Sequence, residues 1–178
     1  MSNGLIGASI GAVFAAILGI TVLGGSWYTV NSGYVGVVTR TGAVVGTAEP
    51  GLGFKMPLID SVTDISIQSQ ARTYNDVAAY SRDQQTAVLN VSVSYRLPAD
   101  QVKIIYAEYG GEEGLMNRVL DRQVFNTVKV VFGKYNAVTA IQDRGMLVLN
   151  MQEALQQAVQ GPIIIESVQI ENIDFDAK

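Results

Sequence analysis

Gln85–Leu97, QTAVLNVSVSYRL, decides the fold. Leu89, Val91, Val93, Tyr95 and Leu97 share one parity, and Asn90, Ser92, Ser94 and Arg96 share the other. Successive side chains of a strand point to opposite faces, so this alternation predicts a sheet with one buried and one wetter face. Pro98 ends the strand, because proline has no N–H to give to a ladder. Asn90-Val-Ser92 also fits a glycosylation sequon, but such acceptors belong to surface loops and the match reads as chance in mid-strand.

Toward the N-terminus the pattern stays β. Tyr34–Arg40 (YVGVVTR) and Ala43–Gly46 (AVVG) are short β-branched runs joined at Thr41-Gly42, a hairpin break. Ser61–Gln70 (SVTDISIQSQ) alternates, with Ile65 and Ile67 opposite Asp64, Ser66 and Gln68, and Ser81–Gln84 reads as a polar turn. Between them lies Glu49–Asp60, EPGLGFKMPLID, whose prolines and glycines predict a loop. Loops run over the surface, where Leu52, Phe54, Met56, Leu58 and Ile59 need a partner.

Toward the C-terminus the period becomes helical. Asp100–Tyr109 predicts a short helix that stops at Gly110-Gly111. Glu112–Phe132 places Leu115, Val119, Leu120, Val124, Val128, Val131 and Phe132 at helical spacings, with acids at its start and Lys129 and Lys134 near its end, as the helix dipole prefers. A third helix is predicted from Thr139 to about Gln160 and is stopped by Gly161-Pro162. Ile163–Phe175 (IIIESVQIENIDF) returns to β, and its apolar parity changes between Ile165 and Val168, which predicts a bulge. Strands first and helices later predict an α+β domain, helices packed on a mostly antiparallel sheet.

Charge is unevenly placed: residues 1–39 contain no Asp, Glu, Lys or Arg. Within them Gly4–Gly25 is a 22-residue apolar run broken only by Ser9 and Thr21. As a helix it spans about 33 Å at about 1.5 Å per residue, close to the hydrocarbon thickness of a bilayer. A signal peptide needs a basic n-region and a shorter apolar run, and a core helix of this length with no charge is unusual, so a retained membrane anchor is expected over residues 1–27. Gly7, Gly11, Ala15 and Gly19 recur every four residues, a small-residue face on which membrane helices can approach closely. Trp27 and Tyr28 follow where an aromatic interface belt sits.

Composition excludes several chemistries. The chain has no cysteine and no histidine, which removes disulfides, thiolate and imidazole metal sites, and the Ser-His-Asp and Cys-His nucleophile systems. None of the five lysines sits in a Ser-x-x-Lys arrangement. Glu112-Glu113 and the Asp174/Asp176 pair have plain readings as a helix start and a polar strand end. No catalytic residue, cofactor or metal is assigned. A net charge of -4 and a pI near 4.7 argue against a nucleic-acid partner.

An N-terminal anchor, then YVGVVTRTG, PGLGFKMPLIDSV, RDQQTAVLNVSVSYRL and finally VQIENIDF, in that order and spacing, resemble the SPFH (band 7) superfamily and most of all the prohibitins. The resemblance runs over residues 28–176, divided as a β-rich part 28–97, a helical part 98–160 and a final strand 163–175. It implies a non-enzymatic membrane scaffold with an SPFH domain. Such a scaffold associates into large rings or cages, as a homo-oligomer or alternating with a related SPFH protein. It organises a membrane microdomain and in some cases restrains a membrane-anchored AAA+ protease. It also implies a single-pass protein of the bacterial or mitochondrial inner-membrane type; the soluble domain lies on the extracytoplasmic side in prohibitin-like branches, the side expected here, and on the cytoplasmic side in stomatin-like ones. In the family a long charged coiled coil follows the final strand, and this sequence reaches Lys178.

Two candidate surfaces follow. Leu52, Phe54, Met56, Leu58 and Ile59 are expected to dip into membrane lipid beside the anchor, with Lys55 reaching toward headgroups; the competing reading is a wide hairpin whose apolar residues fold back on the sheet. Arg118, Asp121, Arg122 and Lys129 form a mixed-charge helix face, either merely solvated or an interface between neighbours. A rival for the whole chain is a structural subunit of a secretion or pilus-like apparatus. Pilin-type helices carry a glutamate inside the apolar run, and residues 4–25 have none.

Overall fold

The computed structural model describes Gly19 and residues 24–175. Most of the anchor expected over residues 1–27, with Gly7, Gly11 and Ala15, lies outside the described residues; at its end Trp27 already belongs to a strand. Among those described, no helix is long and apolar enough to cross a membrane. The chain divides into two compact units, one ending at Ile65 and one beginning at Ser66.

From Trp27 on, the first unit is built of strands: β1 (Trp27–Val30), β2 (Tyr34–Arg40), β3 (Ala43–Ala48), β4 (Gly51–Phe54) and β5 (Asp60–Ser66), the last reaching the unit's boundary. β1 pairs antiparallel with β4, and β3, β2 and β5 form a separate sheet in that order. Thr41 and Gly42 turn the β2–β3 hairpin with φ of 48° and 91°, both left-handed, as a two-residue primed turn demands. Val30, Val35, Val37 and Ile65 are buried. At Gly36 any Cβ would lie 2.9 Å from Val30 and 3.0 Å from Val62, so only glycine lets those two valines close over the strand.

The second unit begins with β6 (Gln70–Tyr80) and β7 (Thr86–Arg96). A 3-10 turn at Ala99–Gln101 leads into α1 (Val102–Tyr109). The long helix α2 consists of Glu112–Leu115, a π-helical turn at Met116–Leu120, and Asp121–Phe132. α3 (Ala137–Gln142), α4 (Arg144–Ala158) and β8 (Ile164–Phe175) complete it. The sheet order is β6-β7-β8, antiparallel throughout. β7 is therefore the central strand, and its burial alternates along its whole length as its sequence predicts. α2 packs on β6 and on α4, and α4 packs on β8. Leu89, Leu97, Leu120, Phe132, Leu147 and Met151 are among the most deeply buried side chains of this core. Each contributes about 1.5–3 kcal/mol by leaving water.

The α+β class holds, with five departures in detail. Among the described residues the strands form three small sheets, not one. Residues 71–80, unassigned from sequence, form with Gln70 the eleven-residue strand β6, which carries a register shift between Tyr74 and Val77 and an Asp76 with φ of 56°. The first half of the EPGLGFKMPLID loop is strand β4, because Pro50 and Pro57 flank Gly51–Phe54 without interrupting it. The π-turn brings Met116 into the core and leaves Val119 half-buried, a shift of register that straight helical spacing does not show. The predicted helix from Thr139 is two helices, broken at Asp143.

The bulge predicted in the last strand is present. Pairing jumps from Ser94–Ser167 to Tyr95–Ile165, which leaves Glu166 unpaired, and a second jump leaves out Glu171. Both are held from α4. Gln156 and Gln152 donate to the carbonyls of Ile165 and Glu166 at 3.1 and 3.3 Å. Arg144 donates to those of Ile170 and Glu171.

Candidate functional site

The apolar residues singled out in the sequence converge on one ribbon of the first unit. In the β1–β4 pair Trp27 faces Phe54, Tyr28 faces Gly53 and Thr29 faces Leu52. Cross-strand partners share a side and neighbours along a strand alternate, so Trp27, Leu52 and Phe54 lie on one face. Their exposures are 52%, 63% and 69%. The Trp27 and Phe54 rings stack with centroids 4.4 Å apart. The opposite face carries Tyr28, whose ring lies over Gly53 so closely that a Cβ there would fall 2.3 Å from it. Val30 on that face is buried. Trp27 and Tyr28, expected as one aromatic belt, thus point to opposite sides of the strand.

The loop from Met56 to Asp60 adds further exposed apolar side chains next along the chain. Met56, Leu58 and Ile59 are exposed, Leu58 at 92%. Leu58 holds φ at 70°, a left-handed conformation that is rare for a branched side chain outside turns. The turn is closed by Asp60, whose N–H donates to the Met56 carbonyl at 2.9 Å and whose carboxylate accepts from the Met56 N–H at 3.0 Å. Arg40, at the end of β2, grips the same carboxylate through two bonds of 2.7 and 3.0 Å. That grip, seconded by the Met56 N–H, holds the Asp60 carboxyl down at about 2. Thr41 N–H adds a bond to the Ile59 carbonyl, and Lys55 N–H donates to Ser26. A Cβ on Gly25 would lie 3.2 Å from Pro57, so the end of the apolar Gly4–Gly25 run abuts this loop. The result is a clamped, outward-facing apolar rim. The signal missed in the sequence was its clamp, Arg40 and Asp60, twenty residues apart.

The mixed-charge face on α2 does not hold together as four outward charges. Arg118, Arg122 and Lys129 are exposed. Asp121 instead turns to β6, where it accepts from the Tyr74 hydroxyl at 2.7 Å and from Arg72 at 2.9 Å. Arg72 also reaches Glu113 and Asn117, so it binds the start of α2 to the strand on either side of the π-turn. Burial, then the bond to Asp121, pushes the Tyr74 hydroxyl well above the usual tyrosine range. The same pairing recurs at Tyr95, which donates to Glu112 at 3.1 Å and is pushed up to about 12, chiefly by burial. Among the described residues no three carboxylates group as a metal site.

These features define a class: an α+β chain of two compact units, the first of which exposes a set of apolar side chains. The SPFH domain / Band 7 family matches residues 28–178, and the chain belongs to that family. It is similar to the protein HflK of Vibrio cholerae serotype O1, 28% identical over 110 residues, which cover 61% of this chain and 28% of that protein. It is also similar to the Modulator of FtsH protease HflK of Escherichia coli (strain K12), 25% identical over 131 residues, or 73% of this chain and 30% of that protein. The match therefore spans less than a third of the length of these relatives.

Proposed function

We propose that the chain is a membrane-anchored SPFH scaffold that self-associates into rings or cages and restrains a membrane-bound AAA+ protease. The observation that carries this is the band 7 match over residues 28–178, joined to a relative whose name describes a modulator of a protease. Residues 1–27 supply the anchor, and Gly7, Gly11, Ala15 and Gly19 the face on which neighbouring anchors pack. The rim of Leu52, Phe54, Met56, Leu58 and Ile59, with Trp27, is the second membrane contact and sets the height of the first unit over the bilayer. Arg118, Arg122 and Lys129 meet a neighbour of opposite charge; Asp121 is spoken for by Arg72 and Tyr74. The chain organises a membrane patch, with its folded domain on the extracytoplasmic side, and works by contact, not by chemistry.

Detergent extraction of the full chain followed by native mass measurement tests the assembly. A large closed oligomer supports the scaffold, a helical filament favours a structural subunit of a secretion apparatus, and a monodisperse monomer overturns the scaffold. Co-reconstitution with a membrane-bound AAA+ protease tests the restraint: turnover of a membrane substrate falls several-fold when the chain is present.

A further inference from the structure

We infer that the rim engages lipid through apolar burial alone, with no preference for anionic over zwitterionic headgroups. This rests on the membrane-contact reading of the proposed function and adds the lipid class. Six exposed apolar side chains make up the rim: Trp27, Leu52, Phe54, Met56, Leu58 and Ile59. An anionic surface attracts a protein through clustered Lys and Arg placed within a Debye length of it. Here the rim carries one cation, Lys55. Arg40 is the nearest other candidate by sequence, and both of its bonds go to the Asp60 carboxylate, which cancels its charge locally. Residues 24–65 hold Arg40 and Lys55 against Glu49, Asp60 and Asp64, a net charge of -1 by count, and residues 1–39 hold no charged side chain. An anionic headgroup layer therefore offers the first unit no electrostatic gain.

The occupant is a bilayer, and two observations favour it over a protein groove. The uncharged run from Gly4 ends at Gly25, against Pro57 of the rim, so whatever holds that run is adjacent to the loop. The most exposed of the six, Leu58, is carried at 92% exposure on a tight turn fixed by Asp60, which holds a lone apolar tip outward as a shallow interfacial insertion requires.

The chain has no cysteine, so the Leu58→Cys variant carries one thiol-linked fluorophore at the tip. The full-length variant is reconstituted into phosphatidylcholine vesicles with acyl-chain-brominated lipid, and into the same vesicles doped with phosphatidylglycerol, at low and high salt. The expected result is quenching that agrees within about 1.5-fold across all four conditions, since no charge cluster is present to be screened. Quenching that appears only with phosphatidylglycerol, or falls more than about threefold at high salt, overturns this inference and leaves membrane contact standing. Absent quenching in every vesicle leaves the rim in water or against protein, and shielding that depends on protein concentration alone means it meets protein; either overturns both.

Discussion

Arg40 and Asp60 meet side-on, guanidinium to carboxylate, at 2.7 and 3.0 Å, and the Asp60 side chain is only 4% exposed. The pair joins the end of β2 to the loop that carries Leu58. Because the folded carboxyl is held at about 2, below its unfolded value near 3.9, its contribution is fully present above the unfolded value. It is lost as pH falls through about 4 toward about 2. Carboxyl NMR of Asp60 should therefore show a depressed midpoint, and Arg40→Ala should move it up toward the ordinary aspartate value. Faster amide exchange at Ile59 and Asp60 in the variant is the accompanying sign that the loop has opened.

Replacing Leu52, Phe54 and Leu58 together with serine should leave the fold intact. All three are more than 60% exposed, and substitutions at such positions usually change stability by no more than about 0.5 kcal/mol. The substitutions also remove the Trp27–Phe54 ring stack, worth about 0.5–1.5 kcal/mol. Trp27 is the single tryptophan, so its emission reports the ribbon directly. We expect thermal unfolding shifted by a few degrees at most, a red-shifted Trp27 emission in vesicles, and quenching of Trp27 by acyl-chain-brominated lipid reduced several-fold.

On α2 the four charged positions should separate into two behaviours. Asp121→Ala removes the acceptor for both Tyr74 and Arg72 and should cost about 1–3 kcal/mol in denaturant unfolding. Tyr74→Phe should cost a similar amount, and the double variant should fall short of the sum because both changes break the same bond. Arg118→Glu and Arg122→Glu should leave stability alone and instead lower the native mass of the detergent-extracted oligomer. Unchanged mass in both would return that face to plain solvent.

Gly114→Ala is a case where two effects oppose. Alanine is the better helix former by about 1 kcal/mol. A Cβ there, however, would stand 1.8 Å from the Tyr109 carbonyl oxygen, a backbone atom that cannot swing away. The clash wins, and overpacking of this kind costs about 1–3 kcal/mol or more. Circular-dichroism melts of the variant should show a lower transition; an unchanged or raised one would mean that the α1–α2 connection gives way cheaply.

What the sequence made legible was whatever repeats locally. β7 alternates over its whole length because it lies mid-sheet with the helices covering one face, and the parity change in IIIESVQIENIDF announced the bulge at Glu166. β6 was hidden by the same device: the shift at Asp76 puts buried Tyr74, Val77 and Ala79 out of a common period, so no alternation survives to be read. The pairing of β4 depends on β1, more than twenty residues earlier, and nothing within GLGF signals it. Asp121 looked like a surface acid because its partners lie 47 and 49 residues away, and the apolar rim was visible as composition while its clamp was not.

The two bulges of β8 have a mechanical consequence. A regular ladder can slide by two residues and regain equivalent pairing, whereas this strand carries Glu166 and Glu171 as unequal teeth, each gripped from α4. Tension applied along the chain at Phe175 must shear ten paired positions in step and drag both teeth past their holders. β8 is thus a keyed bolt, able to pass load from its C-terminal end into the core of its unit without changing register.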